Sequence, residues 1–338
     1  MLGKLIEFFN KNTQETAPVQ VDVHDKVIAI DEDVNNFFIS WTEVEQSFTG
    51  MLLGVNSLID VPMSKDEKLS LESINKQYIH NDSTEYQVPR LPAVIPKVLQ
   101  ALRDKKTDTN GLAKILSADM VLVSEVLRLA NSVYYSRSRV YDSLEQAIVN
   151  IGFNGIRQLI VSAALKPILS SQSGHFSDIT NRYLWDKSMN TGLLSDCVAS
   201  TLGENRFHAY LAGLVVSSGM TVLSKEFDKC FDDNEVPNNR LFIDEVSRYT
   251  YKVSVGISKQ WQFPEPVTNA LQEQVDYDNP LEMSTLGRIT YLSDKLVKIS
   301  LLMANGHLDT FDGDVSKLIK GDMHDVYMHC QKQLGINC

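Results

Sequence analysis

The sequence predicts an all-α protein: a two-lobed helical bundle with a small, mostly helical N-terminal segment. Three observations predict it. Apolar residues recur at spacings of three and four along nearly the whole chain, while alternating, strand-like stretches are scarce. The connections between periodic runs are short, which favours helices packed against their neighbours in sequence. The 338 residues are 43% hydrophobic and 22% charged, the composition of a globular chain with a full core.

The elements follow in order. The N-terminus, MLGKLIEFFNKNTQ, brings Leu2, Leu5, Ile6, Phe8 and Phe9 together as an amphipathic stub, read as a docked helix. It lacks the small-residue cleavage site of a secretory signal. Residues 25–60 suggest two or three helices anchored by Trp41 and Phe48, although Val27-Ile28-Ala29-Ile30 fits a short strand equally well. Residues 61–92 are the most polar part of the chain, punctuated by Pro62, Pro89 and Pro92, with a helix around Glu67–Tyr78. This predicts a linker over about 61–90, between an N-terminal segment, 1–85, and a main body, 91–335.

Within the main body, one lobe is expected over 91–170. Pro92 opens a helix whose apolar face is Val94, Val98, Ala101 and Leu102, and Asn110-Gly111 leads into LAKILSAD. Asp119 is placed to cap MVLVSEVLRLANS. Ser143 with Gln146 fits a capping box before LEQAIVNIG, Gly152 stops that helix, and Asn154-Gly155 starts IRQLIVSAALKPIL. A second lobe, 175–335, is expected to hold helices near 178–202, 206–220, 240–260, 264–275, 284–304 and 313–334, with a loop at 231–239.

Composition bears on function. A net charge of −11, with no basic run longer than DKK, argues against nucleic acid, whose binding needs phosphate neutralisation. No apolar run approaches the ~18 residues of a membrane span. The four cysteines, Cys197, Cys230, Cys330 and Cys338, show neither CxxC spacing nor a histidine cluster, so free thiols in a reducing cytoplasm are expected.

The segments LPAVIPKVLQAL, LAKILSADMVLVSEVLRLANSVYY and SLEQAIVNIGFNGIRQLIVSAAL, in that order, resemble the HDOD domain, a family related to HD phosphohydrolases. The second half is similar more loosely. Trp185 with Ser188 resembles a W-x-x-S element, AYLAGLVVSSGM an AGLLHDIG element, and Gly256, Trp261 and Pro264 a G…W-x-L-P stretch. The resemblance spans 91 to roughly 330 and implies a bundle of HD-hydrolase-like type.

In HD hydrolases, histidines and an aspartate hold a divalent metal that activates water against a phosphoester. Here the resemblance places Ser217 and Ser218 at the His-Asp pair, Lys252 at a further histidine, and Gln274 and Val275 at a His-His pair. Hydroxyls, an amide, an aliphatic group and a cation are poor ligands for a divalent ion. The resemblance therefore implies a lost metal site, no catalytic residues and no cofactor. Ser217, Ser218, Lys252 and Gln274 converge on one ligand cleft if the scaffold stays open, and lose that role if it has packed shut.

Other constellations are weaker. RLANSVYYSRSR offers Arg128, Asn131, Arg137 and Arg139 as anion or partner contacts, against a reading of helix capping and solvated charge. NIGFNGIRQL lacks GK[ST] and a preceding strand. FDKCFDDNE lacks the central glycine of a calcium loop and reads as solvated. His324 and His329, five residues apart, do not share a helical face, although Asp322 and Asp325 are near. No GxSxG elbow is present.

Three functions are weighed. The first is a cytoplasmic, non-catalytic module of bacterial signal transduction that binds other signalling proteins, including those of cyclic-di-GMP pathways, or a second copy of itself. The second is a nucleotide or second-messenger sensor using the former HD cleft. The third is a residual metal-dependent phosphohydrolase.

Overall fold

The structure is a computed structural model that describes residues 41–79, 96, 120–132, 135, 140–170, 173–232, 235–308 and 322–334. The terminal stub, the strand-or-helix choice at 27–30 and the helices expected between Pro92 and Asp119 lie outside those residues. The described helices are α1 (Trp41–Leu52), α2 (Lys65–Ile74), α3 (Met120–Ala130), α4 (Leu144–Ser170), α5 (His175–Leu202) and α6 (Arg206–Val215). They continue with α7 (Gly219–Cys230), α8 (Arg240–Gln260), α9 (Glu265–Asp276), α10 (Thr285–Ala304) and α11 (Asp322–Leu334). Among the described residues there is no strand, only an isolated bridge between Ile59 and Asn239. The all-α expectation holds.

The described chain forms two compact units, one holding α3 and α4, the other holding α1, α2 and α5 to α11. In the first, α3 buries Leu122, Val126, Leu129 and Ala130 against α4. The Ser143 hydroxyl accepts from the Gln146 amide at 3.2 Å, while the Gln146 side chain reaches back to the Asp142 amide. Gly152 (φ 80°) breaks α4 where the sequence places a helix stop. Only a residue without a Cβ takes that conformation readily.

In the second unit, α5 and α6 form an antiparallel hairpin turned at Gly203, which is left-handed at φ 73°. Gly213 lets the two helices touch, since a Cβ there would stand 2.7 Å from the Thr191 carbonyl oxygen. The core includes Leu194, Val198, Ala209, Ile289, Leu296, Val326 and Tyr327. A second cluster packs Phe176, Phe227, Phe231 and Phe242 at 5.6–6.2 Å between ring centroids, edge to face except for the tilted pair Phe227–Phe242.

The helix expected around Glu67–Tyr78 is present: α2 and the π turn after it (Asn75–Ile79) bury Glu67, Ser70, Ile74 and Tyr78 in the second unit. Polar contacts hold its start. Glu67 closes a capping box with Ser64 and also accepts from the Asn239 amide at the start of α8. The helix expected over 206–220 ends at Val215, and a separate helix, α7, follows the turn. Finally, Cys197 of α5 and Cys330 of α11 are paired as a disulfide, with Cα atoms 5.8 Å apart, rather than free. A pairing across 133 residues leaves no local spacing to read.

Residues 206–230 also match a membrane span in length and hydropathy, which the sequence reading did not anticipate. Their most apolar window is 94% buried inside the second unit, as a core hairpin would be.

Candidate functional site

The turn between α6 and α7 sets the site. Val215 ends α6, and Ser217 and Ser218 fill the turn, 2% and 0% exposed. Gly219 starts α7 against the backbone of α8. A Cβ at Gly219 would stand 2.2 Å from the Thr250 carbonyl oxygen, and its amide donates to the Ser254 hydroxyl at 2.8 Å. The crossing of α8 therefore holds both serines in the interior.

Ser217 belongs to a buried ionic centre built by five elements. Lys187 of α5, fully buried, donates from Nζ to the Ser217 hydroxyl at 2.5 Å and to the Asp294 carboxylate of α10. The second Asp294 oxygen accepts from Lys298 Nζ at 2.8 Å and from the Tyr251 hydroxyl of α8 at 2.9 Å. Glu45, reaching in from α1, accepts from Lys298 at 2.7 and 2.9 Å and from Lys295 at 2.5 Å, and shares with Asp294 the single proton of the Tyr251 hydroxyl, 3.2 Å away. Lys298 and Lys295 also lie over the rings of Tyr251 and Tyr291, at 5.0 and 5.1 Å. Asp294 and Lys298 are four residues apart and so share a helix face.

The centre holds three ammonium groups, Lys187, Lys295 and Lys298, against two carboxylates, Asp294 and Glu45. Its titration follows from that imbalance. Burial alone would raise the Asp294 carboxyl, but Lys187, Lys298 and Lys295 outweigh it and hold it well below the usual carboxylate range. Glu45 is lowered in the same way, burial being overcome by Lys295 and Lys298. Lys187 is the least solvated ammonium, and burial pushes it down to about 8 despite Asp294. Burial, with Asp294 and Glu45 beside it, raises the Tyr251 hydroxyl well above its ordinary value.

These residues do not fit a divalent metal. Among the described residues no three His, Cys, Asp or Glu side chains gather as ligands. The one carboxylate beside Ser217 is already held by ammonium groups, and a divalent ion there would meet the buried Lys187 charge.

The other candidate positions go elsewhere. Lys252 is half-buried, its ammonium over the Tyr249 ring at 5.6 Å. Gln274 donates to the Ala270 and Gly287 carbonyls, joining α9 to α10, and Val275 is half-buried. The space beside Ser217, between α1 and α8, is about 10 Å³, and neither Lys252 nor Gln274 lines it. A water needs roughly 10–15 Å³ by this measure. The structure does not assemble the expected cleft. The Ser218 hydroxyl has no hydrogen-bond partner among the described residues.

In the first unit, Arg128 is paired bidentately with Glu125 at 2.7 and 2.5 Å. Asn131 exchanges hydrogen bonds with the Tyr141 backbone, at 3.0 and 2.7 Å. Arg137 and Arg139 lie outside the described residues. Asp228, read as part of a solvated loop, instead caps α5 by accepting from the Phe176 amide at 2.6 Å and the Ser177 amide. His324 contacts its neighbour Asp325 at 3.1 Å.

Sequence reasoning missed Lys187, Asp294, Glu45, Tyr251, Lys295 and Lys298. One signal was available. YLSDKLVKIS places an acid and two bases inside an otherwise apolar helical pattern, and such charges are seldom buried unless paired.

The helical architecture is that of the HD-like helical class. Within it, the sequence pattern of the HDOD domain matches residues 88–277, and the chain belongs to the HDOD domain family. It is similar to the HDOD domain protein of unknown function from Geobacter sulfurreducens, at 17% identity and TM-score 0.54, over 80% of this chain and 89% of that one. A Marinobacter aquaeolei VT8 protein, provisionally named for signal transduction, matches at 19% identity and TM-score 0.53, over 82% and 66% of the chains. A Shewanella amazonensis SB2B protein, provisionally named a metal-dependent phosphohydrolase, matches at 18% identity and TM-score 0.51, over 80% and 100%. An uncharacterized protein of Treponema pallidum (strain Nichols) is 21% identical over 196 residues, 55% of this chain and 37% of that protein. The chain thus spans well under half of that relative's length.

Proposed function

We propose that this chain is a non-catalytic regulatory module of signal transduction that acts by binding other proteins. The observation that carries the reading is the Lys187 ammonium seated between Ser217 and Asp294. The resemblance sets Ser217 at a metal-ligand position of HD hydrolases, and an ammonium group held against its hydroxyl disfavours a divalent ion there. Serine at 217 and 218 offers no strong general base in its stead. The Marinobacter relative's provisional name supports a signalling role, and cytoplasmic signalling proteins, including those of cyclic-di-GMP pathways, are the partners proposed.

The test is metal content together with turnover. Protein purified without chelator and then supplied with manganese, iron or magnesium is assayed on phosphomonoesters, phosphodiesters and cyclic dinucleotides. The reading expects less than one-tenth equivalent of tightly held metal and hydrolysis no faster than in a heat-denatured control. Stoichiometric metal with turnover abolished by Asp294→Asn, in a folded variant, would overturn it.

A further inference from the structure

The Glu45 carboxylate occupies a position that the rest of the centre makes attractive to any anion. Lys295, Lys298 and Tyr251 belong to α10 and α8, whereas Glu45 arrives from α1. Two ammonium groups and a hydroxyl converge on its two oxygens. With Glu45 in place the centre carries three positive and two negative groups, a net charge of +1. With its carboxylate withdrawn the net charge is +2, which a dianion would cancel.

Access is also on the Glu45 side. Its side chain is 14% exposed, against 4% for Lys298, 2% for Asp294 and 0% for Lys187. Rotation about the Glu45 side-chain bonds would turn the carboxylate to solvent while Val44, Phe48 and Leu52 keep α1 seated. The space beneath is only about 10 Å³. A ligand can therefore replace the carboxylate but cannot reach further in. Trp41 and Tyr291 lie one helical turn before Glu45 and Lys295, in edge-to-face contact at 6.3 Å. They flank the way out for the body of a ligand.

We propose that Lys295, Lys298 and Tyr251 form a binding site for the terminal phosphate of a small phosphomonoester, with Glu45 as its resident intramolecular competitor. Ammonium groups and a hydroxyl are suitable donors to phosphate oxygens, and a phosphate dianion matches the charge Glu45 leaves uncompensated. The ligand is bound without being split, so the site stands independently of the regulatory reading above.

The experiment uses the full chain in chelator, titrated with inorganic phosphate or adenosine monophosphate, with sodium chloride at matched ionic strength as control. Binding is read by calorimetry and by thermal unfolding. Glu45→Gln keeps the side chain's size but not its charge, and is expected to bind phosphate at least tenfold more tightly than the unaltered chain. Adding Lys298→Met should abolish that gain. Equal effects of chloride and phosphate, no tightening in Glu45→Gln, or tightening that survives Lys298→Met would each overturn the proposal. Should Glu45→Gln fail to fold in chloride, refolding in phosphate becomes the readout: rescue sustains the site, and no rescue overturns it. Adenosine monophosphate bound but not hydrolysed sustains both readings, whereas released phosphate would refute the non-catalytic role and leave the binding site standing.

Discussion

Two ion pairs show how differently the same chemistry is used in the two units. Glu125 and Arg128 sit three residues apart on α3, with side chains 25% and 54% exposed. Lys187 and Asp294 come from helices 107 residues apart and are 0% and 2% exposed. The first pair trades one set of hydrogen bonds for those of water, so its net worth is small. The second has no water to return to. Each partner must be matched or the other is left as an uncompensated buried charge. The lesson is that the buried pair specifies an arrangement of α5 and α10 far more strictly than it adds to overall stability.

The largest test of that contrast is Asp294→Ala. It leaves Lys187 without a carboxylate and Lys298 with Glu45 alone, and should cost about 3–5 kcal/mol in urea denaturation. Lys187→Met should cost less, about 1–3 kcal/mol, because Asp294 keeps Lys298 and Tyr251 and one excess positive charge disappears. If the two substitutions cost the same, the picture of a centre with one ammonium too many is wrong.

The pH dependence sharpens it further. Folded Lys187 releases its proton near pH 8, whereas the unfolded chain keeps it to about 10.5. Between those values the unfolded state binds more protons, so stability rises with pH, by up to about 1.4 kcal/mol per unit. The gain ends from about pH 10, where tyrosines of the unfolded chain ionise, while Tyr251 and Tyr291 are held protonated in the fold and lose their advantage. Denaturation curves at pH 7.5 to 9.5 should show the rising slope in the unaltered chain and its absence in Lys187→Met. On the acid side the sign is the same: Asp294 and Glu45, both lowered, contribute above pH 4 to 5 and lose that contribution as pH falls, so stability again rises with pH.

What could be read from sequence follows the same divide. Helices whose signals are local were legible: α8, α9 and α10 lie within a residue of their expected bounds, and the Ser143–Gln146 cap and the Gly152 break appear where the residues place them. The turn at Ser217 and Ser218 was recognisable as an interruption, but α7 beyond it was not, because Lys225, Glu226 and Asp228 dilute its apolar pattern. The site was least legible. Family resemblance pointed to Ser217, yet its partners come from positions 45, 187, 251 and 294, and no spacing links them. Lys252 and Gln274 looked convergent only because an open scaffold was assumed. The structure instead closes α1 over that region with Phe48 and Leu52 buried to 2% and 3%.

The smallest effect belongs to the surface pair, and it is the control that gives the others meaning. Arg128→Ala removes a guanidinium that is more than half exposed and leaves Glu125 within 3.5 Å of Lys166 and open to water. The loss should stay within about 1 kcal/mol, and should shrink further in 0.5 M salt, as screening predicts for an exposed pair. The buried pair should respond little to the same salt, since counterions do not reach it. A salt-insensitive loss of several kcal/mol at Arg128 would mean that this arginine has a buried role in the first unit, and the contrast between the two pairs would fail at its exposed end.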